Sequence, residues 1–210
     1  MNKKDITCKV VLVGNSGVGK TSIIQRYIDG SYDPESEPTI TTTYCYKKLN
    51  FPKYKKSISF DIWDTAGQEY YRTIAKNFYQ NASIGILVFD ITRRKSFEDM
   101  KSYWYKELID SGEENMVLAV VGNKSNLYKN EQVKEEEGKE YAKSINAIFM
   151  LTSCVENIGI VELFNECGIK YLESNNEINT EKTTRKFTLQ KKQVVNNNNK
   201  KKLNAVKNIG

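Results

Sequence analysis

The sequence has no apolar run long enough to cross a membrane. A transmembrane helix needs about 20 apolar residues, and no stretch of this 210-residue chain approaches that length. The first ten residues, MNKKDITCKV, also lack the apolar core of a secretory signal peptide. These absences argue against a membrane-spanning or secreted protein, and we expect a cytoplasmic one.

The four cysteines, Cys8, Cys45, Cys154 and Cys167, have no CxxC spacing of the kind found in zinc sites and redox motifs. Three of them lie in apolar or β-like runs, where a small hydrophobic residue is the ordinary explanation. No cysteine follows Cys167, and the chain begins Met-Asn rather than Met-Gly, so neither prenylation nor myristoylation is expected. We expect reduced thiols and no encoded lipid anchor.

Residues 174–210 lack the periodic apolar pattern of the rest of the chain. They contain nine Lys or Arg and two Glu, whereas the whole chain has a net charge of +6, so the positive balance lies here. Too few apolar groups are present to pack, which predicts a disordered basic tail after a domain over residues 1–173. The tail could approach an acidic membrane, although a solvated spacer is the simpler interpretation. Nucleic acid is not an expected partner, because the tail lacks aromatic platforms.

Short apolar strands alternate with helical patterns through residues 1–173. This alternation predicts an α/β fold with a mainly parallel six-stranded sheet, one antiparallel edge strand from a hairpin, and helices on both faces. Ligands of such sheets bind beyond the carboxyl ends of the strands. Strands are predicted over residues 6–13, 42–51, 56–63, 84–89, 116–121 and 147–151, and helices over 20–28, 69–80, 96–111, 133–145 and 158–173.

A glycine-rich loop joins the first predicted strand to the first predicted helix. Its sequence, GNSGVGKT, fits GxxxxGK[ST] in the strand–loop–helix context that this pattern requires. Backbone N–H groups would surround phosphate oxygens, Lys20 would add charge near the β and γ phosphates, and Thr21 would offer a hydroxyl to Mg²⁺. A glycine-rich turn with a solvated lysine is the alternative. The predicted nucleotide contacts are Gly14, Ser16, Gly17, Val18, Gly19, Lys20, Thr21 and Ser22.

A second motif, DTAGQE, follows the third predicted strand. Asp64 would lie at the carboxyl end of that strand and hold Mg²⁺ through water. The Gly67 N–H could meet a γ-phosphate, and Gln68 could orient the attacking water, which makes Gln68 the predicted catalytic residue. Asp64 as a simple helix cap is the alternative, and its position after a phosphate loop argues against it.

Six motifs occur in the order and at roughly the spacing found in one family. They are GNSGVGKT, PTI, WDTAGQE, LVFDIT, GNKSNL and TSC, and they extend over about residues 6–173. With these motifs the chain resembles the Rab-type small GTPases of the Ras superfamily. The resemblance implies a switch that binds GTP or GDP with Mg²⁺, hydrolyses GTP slowly, and acts in vesicle trafficking.

The resemblance also implies roles for individual residues. Thr39 would close over the γ-phosphate and complete the Mg²⁺ shell with Thr21 and Asp64, and Tyr32 would pack against the base. The remaining base contacts would come from Asn123, Lys124, Asn126, Ser153 and Cys154.

A partner surface is implied by the switch mechanism, because loops ordered by a γ-phosphate can be read by a second protein. Strand alternation places Trp63 on the polar face of its strand, opposite Ile58, Phe60 and Ile62. The resemblance joins Trp63 with Tyr44 and Tyr79 in an exposed aromatic patch; packing of Trp63 under a helix is the alternative. Effectors, exchange factors and activating proteins would bind through Thr39–Tyr46, Trp63 and Gln68–Tyr79.

Asn126 departs from the family, whose base-recognition motif has aspartate at this position. A carboxylate accepts from both guanine donors, whereas an amide has one acceptor and one donor and better matches xanthine. We expect guanine affinity to fall by about tenfold to more than a hundredfold. Val155, where the family has lysine, and Thr41, where it has glycine, are smaller departures.

These departures keep a second class of function open, a non-hydrolysing scaffold with altered base specificity. The intact phosphate and Mg²⁺ residues argue against it, because a scaffold has no chemical need for them. A P-loop ATPase or small-molecule kinase fits less well, because no arginine-rich lid segment follows the helical region.

Overall fold

The computed structural model describes residues 6–35, 39, 43–64 and 78–175. The chain divides into a unit over Met1–Tyr171 and a second over Leu172–Gly210. Residues 172–175 of the second unit are helical, and the predicted disordered tail lies otherwise outside the described residues. Within the described residues, no helix has the length and apolarity that a membrane span requires.

The described residues form one six-stranded sheet in the order β2-β3-β1-β4-β5-β6. β2 pairs antiparallel with β3, and all the other pairs are parallel. The predicted sheet, with its one antiparallel edge strand, is confirmed. The strands are β1 (Ile6–Val13), β2 (Thr43–Phe51), β3 (Lys56–Asp64), β4 (Ile84–Asp90), β5 (Val117–Asn123) and β6 (Ile148–Thr152).

Helices connect these strands. The predicted helix over residues 96–111 is present but contains a central π-helical segment, so it divides into α2, the π segment and α3. The predicted helix over residues 69–80 falls outside the described residues except for its end, where residues 78–79 are helical. The helices are α1 (Lys20–Asp29), α2 (Arg94–Asp99), the π segment (Met100–Trp104), α3 (Tyr105–Ser111), α4 (Glu135–Ser144) and α5 (residues 160–175).

Helices cover both faces of the sheet. On one face, Phe89 of β4 joins Phe97 of α2, Trp104 of the π segment and Leu108 of α3 in a buried cluster. On the other face, Tyr27 of α1 stacks on Phe164 of α5 with ring centroids 3.8 Å apart, and Phe60 of β3 lies 6.4 Å from Phe164. Strands between two helical layers must be apolar on both faces, which is why β4 and β5 are buried along their whole length.

Four strands run on past the apolar residues that predicted them and end in buried polar side chains. Asp64 ends β3, Asp90 ends β4, Asn123 ends β5 and Thr152 ends β6, and each is at most 2% exposed. Asp90 is paired in register with Asn123, and Asn123 with Thr152. The carboxyl edge of the sheet is therefore lined with buried polar groups.

The four cysteines are free, and only Cys45 is not buried. This agrees with the predicted reduced thiols.

Candidate nucleotide-binding site

The loop between β1 and α1 has a backbone that only glycine accommodates at two positions. Gly14 has φ 149°, and a Cβ there would collide with the Val88 carbonyl. Gly19 has φ 96°, and a Cβ there would collide with the side-chain amide of Asn123. The glycines therefore allow the loop to pass close to the ends of β4 and β5.

Most backbone N–H groups of the loop have no acceptor among the described residues. Within the described part of the chain, no hydrogen bond is made by the backbone N–H of Asn15, Ser16, Gly17 or Gly19. Two of the loop carbonyls accept from side chains beyond the loop: Ser16 accepts from Arg93 Nη2 at 2.9 Å and Val18 accepts from Asn123 Nδ2 at 2.8 Å. A run of fixed and unsatisfied donors at a helix N-terminus is suited to phosphate oxygens.

Lys20 lies beneath this loop and is 5% exposed. Its Nζ donates to the carbonyls of Gly14 at 2.9 Å and Asn15 at 3.1 Å. Burial lowers its pKa to about 8, an effect that Asp64 opposes and Arg93 reinforces. A buried ammonium with a depressed pKa gains strongly from an anion, as a phosphate group would provide.

Thr21, Thr39 and Asp64, the predicted metal-site residues, are gathered at the end of the loop. The two threonine hydroxyl oxygens lie 2.5 Å apart, and Thr21 hydrogen-bonds the Asp64 carboxylate. Burial raises the pKa of Asp64 against the effects of Thr21 and Lys20. Asp64 Oδ1 is buried and has no hydrogen-bond partner among the described residues. Hydroxyl and carboxylate oxygens, one of them unsatisfied, fit a hard divalent cation such as Mg²⁺.

A cavity of about 340 Å³ opens beside the loop, toward the ends of β5 and β6. Seven of its nine lining residues were predicted from the sequence to bind the nucleotide, and two were not. Leu127 and Val155 were not predicted contacts, although Leu127 ends the GNKSNL motif and Val155 stands where the family has lysine. The lining residues are Gly19, Ser22, Tyr32, Asn123, Lys124, Asn126, Leu127, Cys154 and Val155.

The amide orientation of Asn126 is fixed by Ser153. The Ser153 hydroxyl accepts from the Glu156 N–H at 3.1 Å and contacts Asn126 Oδ1 at the same distance. Ser153 is 0% exposed, and among the described residues Asn126 Oδ1 is the acceptor available to its hydroxyl hydrogen. The hydroxyl therefore donates to Oδ1, which leaves the Asn126 Nδ2 as a donor toward the cavity.

Asp90 was not among the predicted site residues, although it belongs to the LVFDIT motif. Its Oδ2 lies 2.8 Å from Lys124 Nζ, and its Oδ1 accepts from the Thr92 N–H at 2.9 Å and hydroxyl at 2.7 Å. Burial alone would raise the pKa of Asp90, but the bonds from Lys124 and Thr92 hold it below its ordinary value. Asp90 thus remains ionised and fixes Lys124 at the cavity.

Arg26 of α1 is a second residue that the sequence did not reveal. Its Nε donates to the Cys154 carbonyl at 2.8 Å, and its guanidinium lies 6.0 Å from the Tyr32 ring centroid. Arg26 thereby connects two parts of the cavity wall. The Cys154 N–H, the predicted donor to the base, makes no hydrogen bond among the described residues.

Asn15 connects the loop to the helix that contains the π segment. Its Nδ2 donates to Asp99 Oδ2 at 2.7 Å, and its Oδ1 accepts from Trp104 Nε1 at 2.6 Å. Asp99 directly precedes the π segment, Met100–Trp104, and Trp104 is its last residue. The amide satisfies both, because one partner requires a donor and the other an acceptor.

Asn15→Asp should destabilise the protein, since it brings two carboxylates together at a partly buried contact. Loss of a bond to a charged group should cost about 1.5 to 3 kcal/mol, which for a chain of this size lowers Tm by about 3 to 12 °C. Thermal unfolding at pH 7.5 measures the effect. Combining Asn15→Asp with Asp99→Asn restores a carboxylate–amide pair and should recover most of the Tm; an unaltered Tm in the single variant would contradict this contact.

The aromatic patch differs from the prediction at one residue. Trp63 is half-buried, with Tyr44 at 5.4 Å and Phe78 at 5.8 Å between ring centroids, and Lys9 Nζ at 5.0 Å. Tyr79 was predicted to belong to this patch, but it is 1% exposed and lies in the core cluster. Successive helical residues point about 100° apart, so Phe78 and Tyr79 cannot face the same side.

Several predictions fall outside the described residues. They are Gly67 and Gln68, the segment from Gln68 to residue 77, and residues 40–42 of the first partner segment, so the predicted roles of these residues stay predictions.

Two comparisons with known proteins, one with family models and one with individual sequences, point to the same family. The model of the Ras family matches residues 9–173. The chain is 43% identical over 159 residues to Ras-related protein Rab-22A of Homo sapiens, covering 75% of this chain and 80% of the relative. It is 41% identical over 170 residues to Ras-related protein RabJ of Dictyostelium discoideum, covering 80% of this chain and 65% of the relative. It is also 34% identical over 206 residues to Ras-related protein RABA1g of Arabidopsis thaliana, covering 98% of this chain and 94% of the relative.

The family match over residues 9–173 spans nearly all of the described part of the chain. The predicted resemblance is thereby confirmed, and the chain belongs to the Rab-type small GTPases of the Ras superfamily.

Proposed function

We propose that this protein is a nucleotide-dependent switch that binds GTP or GDP with Mg²⁺ and hydrolyses GTP. The observation that supports it most is the meeting of Thr21 and Thr39 at 2.5 Å, beside the unsatisfied oxygen of Asp64. Thr39 comes from a different segment than the phosphate loop. A γ-phosphate and its cation would therefore link the two segments, and loss of that phosphate would release Thr39.

Each group has a distinct task in the proposed reaction. The loop N–H groups and Lys20 bind the phosphate oxygens, and Thr21, Thr39 and Asp64 would hold Mg²⁺. A cation held by these residues would neutralise charge that develops on the phosphate oxygens. Gln68 orients the attacking water, so that this chain supplies positioning and electrostatic stabilisation rather than covalent chemistry.

Gln68→Leu should slow hydrolysis by about tenfold or more while nucleotide affinity changes little, because water positioning contributes to the transition state and not to binding. A single-turnover assay with γ-labelled GTP measures the rate, and nucleotide titration measures the affinity. Gln80→Leu is the matched control, since Gln80 is an exposed residue outside the motif. Equal rates in wild type and Gln68→Leu would remove Gln68 from its assigned role.

Partner proteins are proposed to read the switch through Thr39–Tyr46, Trp63 and the segment from Gln68 to Phe78. Two aromatic residues of this surface support the proposal. Tyr44 and Tyr46 are each 53% exposed, and exposed aromatics are common interface anchors. Effectors, exchange factors and activating proteins of vesicle trafficking are the proposed partners. We place the protein in the cytoplasm, peripheral on endomembranes through these partners or the basic tail.

The second candidate is a scaffold that binds a nucleotide with a different base and does not hydrolyse that nucleotide. Asn126 is the observation that favours it. Both candidates require nucleotide binding, so binding does not separate them. Single-turnover hydrolysis of GTP and XTP does: a rate that depends on Gln68 with either nucleotide supports the switch, and no hydrolysis of either supports the scaffold.

A further inference from the structure

Arg93 lies in the turn after β4, beside the phosphate loop. Its N–H donates to the Asp90 carbonyl at 3.0 Å, and its carbonyl accepts from the Ser96 N–H at 2.9 Å and the Ser96 hydroxyl at 2.7 Å. Its guanidinium has two partners among the described residues: the Ser16 carbonyl, 2.9 Å from Nη2, and Asp90 Oδ2, 3.5 Å from Nε. The turn and Asp90 thus hold the guanidinium against the loop.

The Ser16 carbonyl belongs to the same planar peptide unit as the Gly17 N–H. In a trans peptide the C=O and the N–H point in opposite directions. The bond from Arg93 to the carbonyl therefore fixes the Gly17 N–H in the direction away from the guanidinium. That N–H has no acceptor within the described residues, as expected for a donor that faces bound phosphate.

The Val18–Gly19 peptide unit of the loop has the same arrangement. Asn123 Nδ2 donates to the Val18 carbonyl at 2.8 Å, which fixes the Gly19 N–H in the opposite direction. Asn123 belongs to a base-recognition motif, whereas Arg93 belongs to no predicted motif. Two side chains from different strand ends thus set the orientation of two loop donors.

We propose that Arg93 is a positioning residue for the nucleotide phosphates, whose guanidinium fixes the Ser16–Gly17 peptide so that the Gly17 N–H donates to a phosphate oxygen. The inference rests on the proposed function, because it needs a bound nucleotide. It assigns a role in phosphate binding to a residue 77 positions away from the loop carbonyl that it contacts.

Arg93→Ala tests this role, with Arg94→Ala as the matched control. The two arginines are adjacent and similarly exposed, at 44% and 42%, but Arg94 pairs with Glu137 at 2.7 Å and makes no described contact with the loop. The full chain is saturated with Mg²⁺ and either GDP or XDP. The amide proton shift of Gly17 in a ¹H–¹⁵N spectrum reports its hydrogen bond, and release of a fluorescent nucleotide analogue reports retention.

In Arg93→Ala, the Gly17 amide proton should move upfield, and the nucleotide should leave about threefold to tenfold faster than from wild type. Arg93→Lys should be intermediate, because it keeps the charge but loses the planar guanidinium. Arg94→Ala should resemble wild type in both measurements. An unmoved Gly17 amide with unchanged release, or equal changes in both alanine variants, would overturn the positioning role.

Failure of the proposed function has a different signature. If wild type retains neither GDP nor XDP, the switch itself is wrong and the role of Arg93 falls with it. If wild type retains a nucleotide while Arg93→Ala behaves as Arg94→Ala does, only the role of Arg93 is wrong.

Discussion

Asn126→Asp should raise the affinity for GDP by about tenfold to more than a hundredfold and lower the affinity for XDP. In the wild-type cavity, the hydroxyl of Ser153 occupies Asn126 Oδ1 as a donor, and Nδ2 remains as a donor toward the base. Guanine presents two donors on this edge, N1–H and the exocyclic amine. One of them therefore faces Nδ2 without an acceptor, whereas xanthine presents a carbonyl there.

The aspartate restores acceptors to both guanine donors. It can still accept from Ser153, because a carboxylate oxygen has a second lone pair for that bond. With XDP the same change leaves the xanthine carbonyl facing a carboxylate, so the preference should reverse. A reversal in both directions is a stronger test than a gain for GDP alone.

Competition titrations of GDP, XDP and IDP with Mg²⁺ against wild type and Asn126→Asp measure the preference. Hypoxanthine lacks a substituent at the relevant carbon, so IDP should change least between the two proteins. Asn130→Asp is the control for added charge, since Asn130 is exposed in the same 3-10 segment, Ser125–Asn130, and does not line the cavity. If GDP affinity does not rise in Asn126→Asp, the amide does not set the base preference.

The strands could be predicted because a parallel sheet covered on both faces requires unbroken apolar runs. The carboxyl ends of the strands could not be predicted, since a prediction from apolar runs ends each strand at its first polar residue. Asp90 and Asn123 are buried and polar at strand ends because they bind Lys124 and the phosphate loop, respectively. The strand ends that were predicted too early therefore lie at the carboxyl edge of the sheet, where the candidate site is.

The local motifs identified most of the candidate site but not the residues that support it. GNSGVGKT predicts its own contacts because backbone N–H groups and glycines act within a few residues. Arg93 and Trp104 contact the loop from positions 77 and 89 residues away, and neither the spacing nor the residue type announces the contact. Only the fold brings these groups together.

Tyr79 shows a limit of transferring a surface from a family. An aromatic was expected beside Trp63, and an aromatic is found there, but it is Phe78. With two adjacent aromatics on a helix, the choice between them depends on the rotation of that helix against the sheet, which residue type alone does not determine.

Lys20→Met should reduce nucleotide affinity by about a hundredfold or more, because a charged hydrogen-bond donor to the phosphates is lost. The substitution also removes the donor that the carbonyls of Gly14 and Asn15 share. Lys139→Met is the control for loss of one positive charge, since Lys139 pairs with Glu135 on α4. Equal affinity in wild type and Lys20→Met would exclude phosphate binding by Lys20.

The pH dependence identifies Lys20 more specifically than the loss of affinity does. Its pKa is about 8 in the nucleotide-free protein, and phosphate oxygens favour the charged form, so the pKa rises on binding. Above pH 8, binding must therefore take up a proton, and affinity should fall by up to about tenfold per pH unit. Lys20→Met has no such group and should show a flatter profile, with titration of the base common to both proteins.

The stability of the nucleotide-free protein should change with the opposite sign. The pKa of Lys20 is lowered on folding from 10.5 to about 8, so between these values the unfolded chain binds more protons and the folded state gains stability as pH rises. The difference in Tm between wild type and Lys20→Met should therefore shift in favour of wild type from pH 8 to pH 10, while nucleotide affinity falls. Parallel trends in the two measurements would mean that another group, and not the buried Lys20, governs the pH dependence.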